Sequence, residues 1–221
     1  ERKRLEEQLM RAQRLETAGR VAGQVAHDFN NLLGPITVYP EMIAAELPEG
    51  SRAMGYCDII TEAARRIAEI NGDLLALARR GRLETEPVDV NRLARQAVDQ
   101  VRDRPDTLVV EVSLNQNILP AEGSPSQMLR VLENLISNAR DAMRDTGILT
   151  VTTDNVYVDA PIGAYNRVEQ GEYVRLSVSD TGAGIPESIR DRIFDAFFST
   201  KRGNRRGCGL GLTVVQSIVE D

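Results

Sequence analysis

The sequence has no excess of positive charge, no long apolar run and very few cysteines. Its 27 Lys and Arg residues are outnumbered by 33 Asp and Glu residues, giving a formal net charge of −6 and no global attraction to nucleic acid. No apolar run approaches the roughly 18 residues of a membrane-spanning helix, so we expect no direct membrane contact. The 2 cysteines favour reduced thiols in a cytoplasmic protein over a disulfide framework.

The chain begins at Glu1, without an initiator Met and without a signal peptide. Residues 1–4 already have the character of a helix interior, so we expect a piece excised from a longer protein. A length of 221 residues predicts one or two domains. Hydrophobic residues make up 42% of the sequence, which is enough for a buried core.

The first third of the chain is predicted to form two amphipathic helices joined by a turn at residues 47–51. Apolar residues recur there in steps of three and four, a pattern typical of coiled coils, at Ala22, Val25, Phe29, Leu32 and Ile36 and again at Tyr56, Ile60, Ala63, Ile67, Ile70, Leu74 and Leu77. Because one hairpin cannot bury both stripes, we expect a homodimer built as a four-helix bundle.

The single histidine, His27, falls on the most exposed helical position if Ala22 and Val25 are core positions. Imidazole is largely neutral and nucleophilic near pH 7. An exposed position offers no core for the ring to fill, which favours a phosphoacceptor over a structural histidine. Asp28 follows directly, although a solvated surface charge is the alternative for it. Asn31 lies one helical turn further along the same face.

The periodicity changes after residue 80, so we assign 1–80 to the hairpin, 81–87 to a hinge-like linker and 88–221 to a second domain. Helices are predicted at 91–101, 125–143 and 211–219, and strands at 108–114, 148–158 and 173–179. This order predicts an α/β sandwich with helices on one face of a mixed sheet. The fold class is therefore α+β. Asp89 or Asn91 is expected to cap the first of these helices, and Gly147 to end the second.

A polar face is predicted on the helix at 125–143. Asn134, Asn138 and Asp141 share that face at positions i, i+4 and i+7. Asparagine in a helix interior lowers helix propensity, which favours a ligand role over a merely solvated face. Amide oxygens suit Mg²⁺, which takes few protein ligands together with phosphates and water.

Asp180 is predicted at the end of a buried strand, where a carboxylate can accept a hydrogen bond from an exocyclic amine such as that of adenine. Gly182 and Gly184 follow it and let the backbone approach a ligand closely. Asp-Thr-Gly also occurs in ordinary turns, so this motif is a moderate signal by itself.

A second glycine motif, Gly207, Gly209 and Gly211, leads directly into the last predicted helix. Backbone N–H groups at such a helix start can bind an anion. Lys201 belongs to a cationic loop between this motif and the aromatic segment 194–198. The loop could close on phosphates, and its alternative is a basic surface loop.

In this order and spacing, the motifs resemble the transmitter region of two-component sensor histidine kinases. Such a region has a HisKA-type dimerisation and phosphotransfer hairpin, followed by a GHKL-type ATP-binding domain. The similar segments are 27–31, 134–138, 180–184, 194–198 and 207–211, which resemble the family's H, N, G1, F and G2 boxes.

The resemblance implies an ATP-dependent autokinase that phosphorylates His27 and passes the phosphoryl group to an aspartate on the receiver domain of a response regulator. Phosphatase activity toward that regulator is implied as well. Asp28 would be the base that draws the proton from the other ring nitrogen of His27, and Asn31 would orient water during dephosphorylation. The fragment would belong to a longer sensor protein that can itself be membrane-bound.

For the second domain, the resemblance implies ATP and Mg²⁺ as cofactors. Asn138 would hold the metal, Asn134 would contact phosphate and Asp180 would bind adenine. The remaining expected nucleotide-binding residues are Asp141, Gly182, Gly184, Lys201, Gly207, Gly209 and Gly211.

Two features depart from the family pattern. Many members carry a proline five residues after the histidine, where this chain has Leu32, while its own proline is Pro35. The last strands of the family's ATP-binding domain would follow residue 221, so we expect that domain to be C-terminally incomplete.

Two other functions remain open at this point. GHKL ATPases of the gyrase, mismatch-repair and heat-shock chaperone type hydrolyse ATP with a glutamate four residues before the metal-binding asparagine. That position is Asn134 here, and the neighbouring Glu133 points about 100° away on the helix. The second alternative is a dimeric scaffold that binds nucleotide without catalysis.

Overall fold

The computed structural model describes residue 29 and residues 32–48, 50–78, 85–102, 107–163, 168–201 and 208–220. The chain divides into two compact units, Glu1–Gly81 and Arg82–Asp221. None of the helices in these ranges combines the length and apolar character that crossing a bilayer requires.

The first unit contains helix α1 at residues 32–46 and helix α2 at Arg52–Ala78. A tight turn separates them, in which the N–H of Ser51 donates to the carbonyl oxygen of Pro48 at 3.1 Å. Residues of both helices line one cleft. This arrangement supports the predicted helical hairpin over the described residues.

The side chains buried in this unit are not those of the predicted stripes. Buried positions are Leu33 and Pro40 on α1 and Cys57, Ala64 and Asn71 on α2, with a spacing of seven residues on both helices. The stripe residues Phe29, Leu32, Ile36, Tyr56, Ile60, Ile67 and Ile70 are all exposed. Small and medium-sized side chains of α2 thus pack inside the unit, and the large apolar side chains of the predicted stripes remain exposed.

The second unit is built on a three-stranded mixed sheet of order β2-β4-β5. Strand β2 (Thr107–Leu114) runs parallel to β4 (Thr146–Val158), and β4 is antiparallel to β5 (Gly171–Asp180). The helices are α3 (Val90–Arg102), α4 (Pro125–Met143) and α5 (Gly211–Glu220). The predicted α+β fold class and mixed sheet are confirmed.

Three short elements escaped the sequence analysis. Strands β1 (Glu86–Val88) and β3 (Ala121–Gly123) form a separate two-stranded antiparallel sheet. A 3₁₀ helix spans Glu187–Arg192 after β5. Each is too short to show a periodic pattern in the sequence.

The core lies between the helices and one face of the sheet. Leu149, Val151 and Thr153 of β4 alternate inward, and Leu132 and Ile136 of α4 are buried against them. On the other face, Ile148 of β4 is exposed. Helices therefore cover a single face of the sheet, as predicted, and α4 is the helix that joins the core to the candidate site.

The ends of the helices confirm one prediction and correct another. The N–H of Arg92 donates to Oδ1 of Asp89 at 3.1 Å, so Asp89 is the cap of α3. The expectation that Gly147 ends α4 is wrong, because Gly147 already lies in β4. The chain reverses instead at Arg144 and Asp145, whose φ angles are 54° and 61°. Asp145 is held there by an ion pair with Arg140 at 2.9 Å.

Asn91 does not cap α3 but joins it to the sheet. Its Oδ1 accepts from Thr153 Oγ1 at 2.6 Å, and its Nδ2 donates to the carbonyl oxygen of Asn115 at 2.7 Å. The N–H of Asn115 in turn donates to Thr153 Oγ1 at 3.2 Å. Both Asn91 and Thr153 are buried, so this network satisfies polar groups that would be costly to leave unbonded.

We predict that Thr153→Val lowers the free energy of unfolding by about 1–3 kcal/mol, because it leaves the buried amide oxygen of Asn91 without its donor. Urea denaturation of the chain measures the loss. Thr152→Val, on the opposite face of the same strand, is the matched control and should change stability by less than about 0.5 kcal/mol. Equal losses in the two variants would contradict the assigned role of the network.

Candidate functional site

Helix α4 presents a polar face opposite its core face. Leu132, Ile136 and Ala139 are buried in the core, whereas Asn134, Asn138 and Asp141 are half-buried. The helical repeat fixes this division, because the three polar residues follow one another at i, i+4 and i+7. The expected polar face is therefore present, and it is lined by neighbouring segments on both sides.

Lys201 reaches the middle of this face. Its Nζ donates to Oδ1 of Asn138 at 3.0 Å and forms an ion pair with Oδ2 of Asp141. The side chains of Lys201 and Asp141 are 29% and 32% exposed, so the pair is partly withdrawn from water. The ammonium of Lys201 is thus bound by an amide oxygen of Asn138 and a carboxylate oxygen of Asp141. All three residues belong to motifs identified in the sequence.

The start of α5 lies against the other end of the same face. A Cβ built on Gly211 would lie 2.6 Å from Oδ1 of Asn134 and 3.8 Å from Nδ2 of Asn138. A side chain at residue 211 would displace the Asn134 carboxamide from this position. Helix α5 packs on α4, and its first residue, Gly211, lies beside Asn134. The N-terminus of a helix favours the binding of an anion.

The segment after β5 packs against the end of α4. A Cβ on Gly182 would lie 2.7 Å from the carbonyl carbon of Ala142, and the N–H of Ala183 donates to the Ala142 carbonyl oxygen at 3.4 Å. Asp180 stays exposed, and its Oδ1 accepts from the N–H of Gly182 at 2.8 Å. This hydrogen bond fixes the carboxylate at the strand end. Gly184 follows with a φ of 67° that favours glycine.

A third contact joins the aromatic segment to the glycines before α5. The N–H of Phe197 donates to the carbonyl oxygen of Gly209 at 3.0 Å. Both residues have left-handed backbone, with φ angles of 66° and 72°. Phe198, the next aromatic residue, lies under the guanidinium of Arg192 at 4.4 Å.

The structure therefore brings together most of the residues predicted for nucleotide binding. Lys201 contacts Asn138 and Asp141 on α4, Gly211 lies against Asn134, and Gly182 touches the residue after Asp141. Four predicted site residues lie outside the described residues: His27, Asp28, Asn31 and Gly207.

Sequence reasoning missed two contributors to this site. Ala142 accepts the close approach of Gly182, and its small size beside a polar row is a weak signal that could have been noticed. Thr213 donates to the carbonyl oxygen of Phe194 at 3.1 Å. That contact joins two distant segments, and no local pattern reports it.

Metal chemistry at this face would rest mainly on neutral oxygens. Among the described residues, no cluster of three or more His, Cys, Asp and Glu side chains could hold a metal ion. Asn138 with Asp141 offers an amide and a carboxylate, which fits a cation that takes most of its ligands from phosphates and water. The hydrolytic glutamate of GHKL ATPases lies four residues before the metal-binding asparagine, which is position 134 here. Asn134 occupies that position and lies against Gly211, and the neighbouring Glu133 is exposed.

Comparison with known proteins agrees with this geometry. Residues 123–221 match the family described as histidine kinase-, DNA gyrase B-, and HSP90-like ATPase. Along its whole length, the chain is 32% identical to sensor kinase CckA of Brucella abortus (strain 2308), of which it covers 23%. The chain spans less than half the length of this and other curated sensor kinases that it matches.

Two solved structures share the fold. Full-length ShkA in complex with AMPPNP has a TM-score of 0.66 at 22% identity, over 89% of this chain and 40% of that chain. Histidine kinase ThkA in complex with the response regulator protein TrrA has a TM-score of 0.54 at 25% identity, over 89% of this chain and 55% of that chain. The first likeness shows the fold alone.

The family match covers the helix and glycine motifs that meet on α4, and the sensor kinase relatives align over the hairpin as well. These matches together support a transmitter region of the two-component sensor histidine kinase type, within which residues 123–221 match the histidine kinase-, DNA gyrase B-, and HSP90-like ATPase family.

Proposed function

We propose that the chain binds ATP with Mg²⁺ on the polar face of α4 and transfers the γ-phosphoryl group to His27. One observation carries the nucleotide site: Gly182 and Gly211, from two distant motifs, both touch α4 where a side chain would collide. The end of β5 at Asp180 and the start of α5 therefore flank the α4 face that carries Asn138.

Each part of this face suits one part of the nucleotide. The Asp180 carboxylate accepts a hydrogen bond from the amine of adenine, next to Gly182 and Gly184. Asn134 and the N-terminal end of α5 bind phosphate oxygens. The backbone of the glycine motif, which includes Gly207 and Gly209, contributes N–H donors at the same end.

Asn138 is the proposed metal ligand. The ammonium of Lys201 already lies on its Oδ1 and beside Asp141, so these oxygens tolerate a cation between them. When bound, Mg²⁺ supplies charge neutralisation at the phosphates. With a metal held by Asn138, the Lys201 ammonium would be available to pair with the phosphates, and Asp141 would keep the site acidic.

In the transfer, the bond between the γ-phosphorus and its bridging oxygen breaks, ADP leaves, and a phosphorus–nitrogen bond forms on His27. Asp28 draws the proton from the other ring nitrogen of His27. These roles follow from the H box and from the relatives rather than from geometry, because both residues lie outside the described residues. The receiver-domain aspartate of a response regulator then takes the phosphoryl group from His27. In the separate phosphatase reaction, Asn31 orients the water that hydrolyses the aspartyl phosphate and releases inorganic phosphate.

A response regulator is the proposed partner because ThkA, a structural relative at 25% identity, forms a complex with one. The docking surface would be the hairpin face near His27. No nucleic-acid partner is proposed, since the net charge is −6. We further propose a cytoplasmic location, where ATP is available and where the thiols of Cys57 and Cys208, which form no disulfide, stay reduced.

The exposed apolar row on the hairpin supports a homodimer. Ile60, Ile67 and Ile70 of α2 are 45%, 42% and 38% exposed, and Ile36 of α1 is 44% exposed. Rows of this kind on two helices are covered when a second hairpin completes a four-helix bundle. A second copy of this chain is therefore the proposed occupant.

We predict that His27→Gln abolishes phosphorylation of the chain and leaves ATP affinity unchanged, because the acceptor is separate from the nucleotide pocket. Incubation with γ-labelled ATP, followed by acid and base treatment, should give an acid-labile, base-stable label in the parent chain and none in the variant. Retained label in the variant would refute the acceptor. ATP hydrolysis without any labelled protein would favour the gyrase-like ATPase, and binding without chemistry would favour the scaffold.

We predict that Ile67→Asp converts a dimer into monomer or aggregate. It places an unpaired carboxylate in the proposed bundle core, at a cost of several kcal/mol. Arg65→Gln changes the net charge equally on the same helix, and it loses only an exposed ion pair with Glu62 at 3.6 Å of little energetic value. Light scattering should therefore show a dimer for the parent and for Arg65→Gln. A monomeric parent would contradict the bundle.

A further inference from the structure

The chain between the aromatic segment and α5 carries Lys201. Three arginines follow it in the sequence: Arg202, Arg205 and Arg206. Lys201 reaches Asn138 and Asp141 on α4. Its position therefore depends on how the chain is fixed at the two ends of this basic loop. The described residues show two contacts at those ends.

The first contact is made by Thr213, in the first turn of α5. This side chain is 3% exposed, and its hydroxyl donates to the carbonyl oxygen of Phe194 at 3.1 Å. A carbonyl oxygen can only accept, so the hydroxyl hydrogen is required for the contact. Threonine in a helix commonly donates to a carbonyl of its own preceding turn, but here it bonds across the loop to a separate segment.

The second contact lies beside the first. The N–H of Phe197 donates to the carbonyl oxygen of Gly209 at 3.0 Å. A Cβ on Gly209 would lie 2.6 Å from the carbonyl carbon of Phe197, so the two ends of the loop touch through backbone alone. Phe197 holds a left-handed backbone with φ of 66°, which is unfavourable for a non-glycine residue and needs support from its surroundings.

We propose that Thr213 is a positioning residue for phosphate binding. Its hydroxyl holds the Phe194 end of the loop on α5, which keeps Phe197 in its strained pairing with Gly209 and so directs Lys201 to the phosphate end of the α4 face. This role rests on the proposed ATP site. It assigns to Thr213 an effect on the triphosphate and none on the adenine, because Asp180 lies at the end of β5.

A purely structural role for Thr213 predicts a different pattern. Valine has the shape of threonine and fills the same buried space, whereas serine loses a methyl group. Under a packing role, Thr213→Ser would be the more harmful change. Under the positioning role, Thr213→Val is harmful and Thr213→Ser is tolerated, since serine keeps the hydroxyl.

The test uses the 221-residue chain in two measurements. Without nucleotide, amide hydrogen exchange at Phe197 should become roughly 3- to 10-fold faster in Thr213→Val and stay near the parent rate in Thr213→Ser, as expected for the loss of one hydrogen bond. With nucleotide, Thr213→Val should weaken ATP binding by a similar factor and leave the affinity for AMP unchanged. Ser217→Ala, which removes another buried hydroxyl from α5, is the control and should alter neither.

Unchanged exchange at Phe197 in Thr213→Val would overturn the anchoring contact. Faster exchange with an unchanged ratio of ATP to AMP affinity would overturn the positioning role. If Thr213→Val does not fold, Thr213→Ala removes the same hydroxyl and decides both points. A parent chain that fails to bind ATP would refute the proposed site, and the role of Thr213 in phosphate binding with it, whereas the exchange result tests the anchor independently of nucleotide.

Discussion

The contact of the Lys201 ammonium with Asn138 and Asp141 joins the segment after the aromatic residues to the polar face of α4. The Asp141 carboxylate is partly withdrawn from water, and the ammonium that donates to it compensates its charge. Oδ1 of Asn138 is also the proposed Mg²⁺ ligand. Under that proposal, binding of the metal and nucleotide exchanges one cation for another, and the lysine becomes available to the phosphates.

This arrangement depends on α4 being shared by the core and the site. Leu132 is fully buried on the core side of α4, and the polar residues Asn134, Asn138 and Asp141 lie on its opposite side. Two close approaches, by Gly182 and by Gly211, bring β5 and α5 onto that row. The approach of Gly182 is to the backbone of Ala142 and fixes the proposed adenine end, whereas Gly211 lies against the Asn134 side chain at the proposed phosphate end.

Elements with a long periodic pattern were predictable from the sequence. The bounds of α4 were predicted because Pro125 opens it and its apolar residues repeat every three or four positions. Contacts between distant segments were not predictable: the hydrogen bond from Thr213 to Phe194 and the three-residue pairing of β1 with β3 leave no local signal. The turn after α4 was assigned to Gly147 on composition, whereas the ion pair of Arg140 with Asp145 stabilises a turn without glycine. The roles of His27, Asp28 and Asn31 rest on sequence resemblance.

The central claim is that one cation replaces another on the α4 face. A crystal structure of the 221-residue chain grown with Mn²⁺ and a non-hydrolysable ATP analogue tests it most directly, since the metal is located by its anomalous signal. The account predicts a metal bonded to Oδ1 of Asn138, the adenine amine on Asp180, and the Lys201 ammonium moved from Asn138 to the phosphates. A nucleotide bound elsewhere, or a Lys201 still on Asn138 with the metal at other ligands, would contradict it.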